Sequence, residues 1–134
     1  MAHDATPNHP TAIQLLHAYL DNVRDPDKAA ALFGDDGILE LPTVQARAQG
    51  SDAVRGLLRG ILKKVPDFRF KDLQVWIETP DKVFAEYSVE ALVPETGRMY
   101  RQTYAGVLIA ANGRIQRLRE ALDTAEAARA FGKA

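Results

Sequence analysis

The chain contains no cysteine, which removes thiolate nucleophiles, CxxC redox chemistry and cysteine-ligated zinc, and leaves no mark of an oxidising compartment. Histidine is scarce: His3 and His9 lie near the start and His17 sits beside an apolar stripe. No HxH, HExxH or His–acid cluster joins them, so no metal site is expected. Neither GxxxxGK[ST] nor GxGxxG occurs, which leaves no nucleotide-binding loop. Charge of one sign is also missing. The 17 basic and 18 acidic residues give a net charge of −1, which argues against nucleic acid or an anionic membrane as the main partner. Long hydrophobic runs are absent, the longest apolar-or-glycine stretch being Ala105–Ala111, too short to span a bilayer. The opening MAHDATPNHP lacks the basic start and apolar core of a signal peptide. These absences describe a soluble, cytoplasmic chain that needs no cofactor, with residues 1–8 expected to be loose.

What is present begins with helical periodicity. Ile13, Leu16, Tyr19, Leu20 and Val23 recur at three- and four-residue steps, which predicts a helix opening near Pro10-Thr11 and ending before Asp25-Pro26. A short second helix follows, with Asp25 as N-cap, Pro26 at the first helical position and Gly34 past its end. The third predicted helix is capped by Ser51. It carries Val54, Leu57, Leu58, Ile61 and Leu62 on one stripe and places Lys63-Lys64 at the negative end of the dipole. Gly37–Pro42 reads as a short strand between helices. From Phe68 onward four strands are expected, 68–78, 82–93, 98–111 and 114–123, joined by turns at Thr79-Pro80-Asp81, Pro94–Gly97 and Asn112-Gly113. Asn-Gly between strands is a hairpin signal because both residues tolerate positive φ. Ala-rich 124–131 reads as a closing helical turn.

Helices first and a meander afterwards predict one α+β domain over residues 1–134: a cone-shaped, curved antiparallel sheet with three helices on its concave side. A chain of 134 residues buries roughly two-thirds of its unfolded surface without disulfide or metal. Three helices cover only one face of such a sheet. The other face is left to solvent or to a second copy, and a homodimer through the sheet is expected.

Three local patterns, in order, carry a family resemblance. They are Ala31-Leu32-Phe33-Gly34-Asp35-Asp36 with Leu39-Glu40-Leu41-Pro42, then Gly50-Ser51-Asp52-Ala53-Val54-Arg55, then Asn112-Gly113-Arg114-Ile115 leading to Arg119-Glu120 and Asp123. Over about residues 11–131 the chain resembles the superfamily of nuclear transport factor, ketosteroid isomerase and the SnoaL-like polyketide cyclases. Tyr100-Arg101-Gln102-Thr103-Tyr104 and Asp123-Thr124-Ala125-Glu126-Ala127 are among the segments similar to the phenazine-biosynthesis A/B branch. The resemblance implies that Tyr19 matches the helix-one tyrosine of the isomerase and Glu120 the acidic residue of the last strand. Leu41 stands where the isomerase has its carboxylate base. Gly106 stands near the isomerase's second donor and the cyclases' histidine. Steroid-type isomerisation is therefore disfavoured, and a single-carboxylate mechanism stays open.

Strand alternation sorts the candidates. Tyr100, Gln102, Tyr104, Gly106 and Leu108 share one face, as do Leu118, Glu120 and Leu122. A carboxylate among leucines in a cavity has a raised pKa suited to general acid–base work; the alternative is a Glu120–arginine pair with Arg101, Arg117 or Arg119 on a wet face. For Glu86, binary patterning sends Val83, Ala85, Tyr87, Val89 and Ala91 against the helices and Glu86 to solvent. The resemblance implies the opposite, with Glu86 beside Glu120 in the cavity, and the reading follows the resemblance. Tyr104 and Tyr19 can hydrogen-bond a ligand oxygen and Trp76 can stack on a flat ring, with Gln102, Leu118 and Leu41 completing the substrate-binding set. The resulting expectation is a small cofactor-independent isomerase or cyclase acting on a hydrophobic oxygenated ring compound. Its alternatives are a non-catalytic binder and a dimerising interaction module.

Overall fold

The computed structural model describes residues 9–132; the expectations for residues 1–8, and His3 with them, lie outside that range. Helix α1 (Ala12–Asn22) opens on a capping box. The Thr11 hydroxyl accepts from the Gln14 amide and the Gln14 side chain accepts from the Thr11 amide, satisfying donors that a helix start leaves bare. It buries Leu15, Leu16, Tyr19 and Leu20. Helix α2 (Pro26–Ala31) is capped by Asp25, which accepts from the Lys28 amide. It ends earlier than expected, because Phe33 already begins strand β1 (Phe33–Leu41).

A 3-10 turn at Pro42–Val44 and Gln45, with φ of 59°, reverse the chain into β2 (Ala46–Gln49), a strand the sequence pattern does not announce. Helix α3 (Ser51–Lys64) starts from Gly50, at φ 89°, rather than from Ser51. It buries Val54 and Leu58 fully, with Leu57, Ile61 and Leu62 half-buried beside them. Strands β3 (Phe70–Thr79), β4 (Lys82–Val93), β5 (Arg98–Ala111) and β6 (Arg114–Leu122) form the meander, and α4 (Thr124–Phe131) closes the chain against β5. The Asn112-Gly113 turn has positive φ at both residues, 55° and 76°, the twist a two-residue hairpin needs.

The six strands run in the order β2-β1-β6-β5-β4-β3 as a curved, unclosed sheet. The expectation of an antiparallel sheet is corrected at one seam: β1 lies parallel to β6, with Leu39 opposite Leu118. The α2–β1 unit returns alongside the last strand rather than extending the meander. Helix α1 crosses β3 to β6 and α3 packs on β1 and β2. On the covered face every second residue of β4 is buried, from Val83 through Tyr87 to Val93. Each valine of this set contributes roughly 1.5–3 kcal/mol when fully buried. Among the described residues no helix is long and apolar enough to cross a membrane.

Candidate active site

The covered face of the sheet does not fill the space beneath the helices. An outer pocket of about 650 Å³ opens between α3, the end of β1, β5 and α4, walled by Leu41, Leu57, Ile61, Phe68, Tyr100 and Phe131. Its size is within the range of small-molecule sites. Gly56 and Gly60 also line it, and a methyl group added at either would meet nothing within 4 Å. These helix-interior glycines leave the wall low where packing does not require it. Deeper lies a cavity of about 10 Å³ that reaches Glu120 and Tyr19. Leu41, Ile61, Phe68 and Tyr104 line both spaces and form the wall between them.

Glu120 sits on β6 directly opposite Gly106 of β5 and is 2% exposed. Burial raises its pKa from the ordinary 4.5 to about 7, against a smaller lowering by the hydrogen bond it accepts from the Tyr87 hydroxyl. That bond, Tyr87 Oη to Glu120 Oε2, is 2.5 Å long. Tyr87 comes from β4, one strand further away, and its hydroxyl lies over Gly106. A Cβ at position 106 would stand 2.2 Å from it. Mid-strand glycine often marks such a close approach.

An aromatic cluster holds this arrangement in place. The rings of Tyr87 and Tyr104 stack with centroids 6.2 Å apart, and Phe70 presents its edge to both, at 5.0 and 5.5 Å. Tyr104 in turn shares a 2.9 Å hydrogen bond with the Tyr100 hydroxyl, so a line of hydroxyls runs along β5 from the outer pocket inward. Tyr19 packs edge-on to Phe33 at 6.0 Å. Burial first, and the charge of Glu120 second, push the Tyr19 phenol well above its usual range. The Tyr104 phenol is pushed up by burial and then by Tyr100. At neutral pH all of these tyrosines are hydrogen-bond donors, not bases.

The sequence-predicted residues divide into two groups. Glu120, Tyr19, Tyr104 and Leu41 are brought together around the inner cavity. Leu118 is buried on the same face but lines neither space. The expectation for Glu86 is corrected: it faces outward on β4, opposite Gln74 and Ala105, because the apolar alternate set is the one that meets the helices. Trp76 is 53% exposed on β3 and lines neither space. Gln102 is buried, but its amide is committed elsewhere. Its Oε1 accepts from the Asp123 amide and its Nε2 donates to the Asp123 carbonyl, both at 2.9 Å, which ties the end of β6 to β5. The alternative of a Glu120–arginine pair is not what the fold builds. Arg117 and Arg119 pair with Glu40 on the outer face, and Arg101 pairs with Glu90. Among the described residues no group of three or more histidine, cysteine, aspartate or glutamate side chains is placed to hold a metal ion.

Sequence reasoning missed Tyr87, which the alternation places among ordinary apolar residues, and Phe68, Gly56 and Gly60. The glycine at 106 was the available signal for Tyr87, since a side chain had to occupy the space it leaves.

The sequence model of the SnoaL-like domain matches residues 14–118. A comparison with curated protein sequences found no match. Solved structures do match. A proposed isomerase from Bacillus subtilis is 24% identical with a TM-score of 0.80, over 92% of this chain and 94% of that one. A phenazine biosynthesis-related protein from Pseudomonas aeruginosa is 20% identical with a TM-score of 0.77, over 92% and 86%. A Catenulispora acidiphila protein with a ketosteroid isomerase-like fold, in complex with trimethylamine, is 13% identical with a TM-score of 0.82, over 92% and 96%. At these identities the likeness concerns the fold, which many chemistries share.

Proposed function

Because the chain belongs to the SnoaL-like domain family, whose fold leaves activity open, we propose from the site itself that it is a cofactor-independent acid–base enzyme. Its substrate is a hydrophobic ring compound carrying a carbonyl or hydroxyl oxygen, and its reaction is an isomerisation or ring closure. The observation that carries this reading is the Glu120 carboxylate, buried in the small apolar cavity behind the outer pocket with its pKa raised to about 7. A group that titrates there both takes and returns a proton at neutral pH. In the proposed step, ionised Glu120 removes a proton from carbon next to a substrate carbonyl. The C–H electron pair moves to the carbonyl oxygen, which accepts a hydrogen bond from Tyr104 or Tyr19. The same proton then returns to a different carbon for isomerisation, and nothing is oxidised or reduced. Leu41, Ile61 and Phe68 exclude water, which strengthens the hydrogen bonds made inside.

The test is hydrogen–deuterium exchange in D2O, followed by NMR, across a panel of cyclic ketones and polyketide-like phenols. Wild type is expected to accelerate exchange beside the carbonyl of at least one member, and Glu120→Gln to lose that acceleration while retaining affinity within a small factor. No acceleration by wild type across a panel that it binds would sink the enzymatic reading.

One observation favours a second reading, a binding protein without turnover. Leu41, Ile61, Phe68 and Tyr104 stand between the outer pocket and Glu120, so a ligand in the outer pocket touches the carboxylate only if that wall moves. The first reading also includes a homodimer in the cytoplasm, formed through the outer face of the sheet. Half-buried Phe84, Val107 and Ile109 and exposed Ile77 on that face support it. Sedimentation equilibrium of wild type and Phe84→Asp tests this, with the variant expected to be monomeric.

A further inference from the structure

We infer that Tyr87, with Gly106 as its receptacle, is the positioning residue of the site: its hydroxyl, delivered from β4 across β5, holds one oxygen of Glu120 and leaves the other for the ligand. The family resemblance finds no side-chain donor at position 106, because glycine has none. The structure fills that place from the neighbouring strand. Ala85 pairs with Gly106 and Tyr87 with Tyr104 in the β4–β5 register. The Tyr87 ring therefore leans along the strand by one covered-face step, and its hydroxyl ends 2.2 Å from where a Cβ of residue 106 would be. Across β5 from that point stands Glu120, whose Oε2 accepts the Tyr87 hydrogen bond. Oε1 is then the oxygen free to exchange a proton with anything entering the inner cavity, which Glu120 lines and Tyr87 does not.

The assignment deepens the acid–base reading of the same site and rests on it for its functional meaning, but its physical content is measurable without a substrate. The titratable groups that face Glu120 are Tyr19 from α1, Tyr87 from β4 and Tyr104 from β5, with Tyr100 beyond it. None is a cation, and among the described residues no arginine or lysine offsets the burial of the carboxylate. Tyr87 is the neighbour that favours the ionised form. A hydroxyl donor prefers a charged acceptor, so the bond strengthens when Glu120 ionises and keeps the group from remaining permanently protonated.

The experiment is a pH titration of the Glu120 side-chain carboxyl carbon by NMR, on the full chain, in wild type, Tyr87→Phe and Gly106→Ala. Tyr87→Phe removes one oxygen and keeps the ring stacked on Tyr104. The Glu120 midpoint is expected to rise by about one to two pH units. Gly106→Ala drives the hydroxyl aside and is expected to raise the midpoint in the same direction. An unchanged midpoint in Tyr87→Phe, within about 0.3 units, overturns the assignment. If Gly106→Ala destabilises the fold too far to titrate, the Tyr87→Phe result stands alone as the test. A wild-type midpoint near the ordinary carboxylate value would remove the basis for acid–base function. Even then, an upward shift in Tyr87→Phe would uphold the Tyr87–Glu120 contact, so the two ideas fail separately.

Discussion

Replacing Glu120 by glutamine should change how the stability of this protein depends on pH, and the size of the change follows from one buried carboxyl. In the folded protein Glu120 titrates at about 7, against an ordinary value of 4.5. The difference of about 2.5 units, at 1.36 kcal/mol per unit, is on the order of 3 kcal/mol. The sign follows from proton linkage. Between those two values the folded state holds a proton on Glu120 that the unfolded chain has released, so stability falls as pH rises. The loss starts near pH 4.5 and is complete a little above pH 7. Glu40, Glu90 and Glu126 are shifted the other way, each held down by arginine or lysine partners. Their stabilisation is present above the ordinary carboxylate value and is lost only as pH falls below it, outside this window. Urea unfolding followed by circular dichroism at pH 5, 6, 7 and 8 measures the effect. Wild type is expected to lose on the order of 3 kcal/mol relative to Glu120→Gln between pH 5 and pH 8. Titrations common to both proteins cancel in that difference. A difference that stays constant over the range would mean that Glu120 is ionised at pH 5 in the folded state, and the argument from its burial would be wrong.

Gly60→Ala should raise the unfolding free energy by up to about 1 kcal/mol, since alanine favours helix and its methyl group meets nothing. Gly60→Leu should fill the outer pocket and suppress uptake of the dye 1-anilinonaphthalene-8-sulfonate, measured by fluorescence titration; undiminished uptake would locate the dye elsewhere. Gln102→Leu breaks both bonds to the Asp123 backbone and leaves those groups without their partner, at a cost of roughly 1–3 kcal/mol. Hydrogen exchange should then accelerate along α4, and unchanged protection there would show that Gln102 does not anchor the helix. Trp76→Ala should leave dye uptake unchanged and shift stability by no more than about 0.5 kcal/mol, because the ring is 53% exposed.

The elements whose rules are local were legible in the chain. The three- and four-residue spacing of Leu16, Tyr19 and Leu20 announces α1, and Asp25-Pro26 announces the start of α2. Asn112-Gly113 announces its hairpin because positive φ is cheap at both residues. Period-two alternation on β5 and β6 places Tyr104 and Glu120 on one covered face. Each of these depends only on a few neighbouring residues.

What tertiary structure decided was which residues stand opposite one another. Nothing within Gly37–Pro42 states that β1 will lie parallel to β6, since that seam is made by the return of the chain after α2. On β4 both alternate sets contain apolar residues, Phe84 on one side and Val83, Ala85 and Tyr87 on the other. Binary patterning favours the second set as the inward one and the resemblance favours the first, and contact with α1 decides for the pattern and sends Glu86 out. Gln102 is a polar residue on a covered face in either account, and the nearness of the Asp123 backbone consumes its amide. The bond from Tyr87 to Glu120 spans 33 positions and three strands. It exists because strand register sets Gly106 between them and because a glycine there leaves room for a hydroxyl. Sequence patterning records the periodicity of single segments, whereas register, curvature and burial are properties of segments meeting. The carboxylate's identity and its place among apolar neighbours were therefore local information, whereas its hydroxyl partner and the wall that parts it from the outer pocket were not.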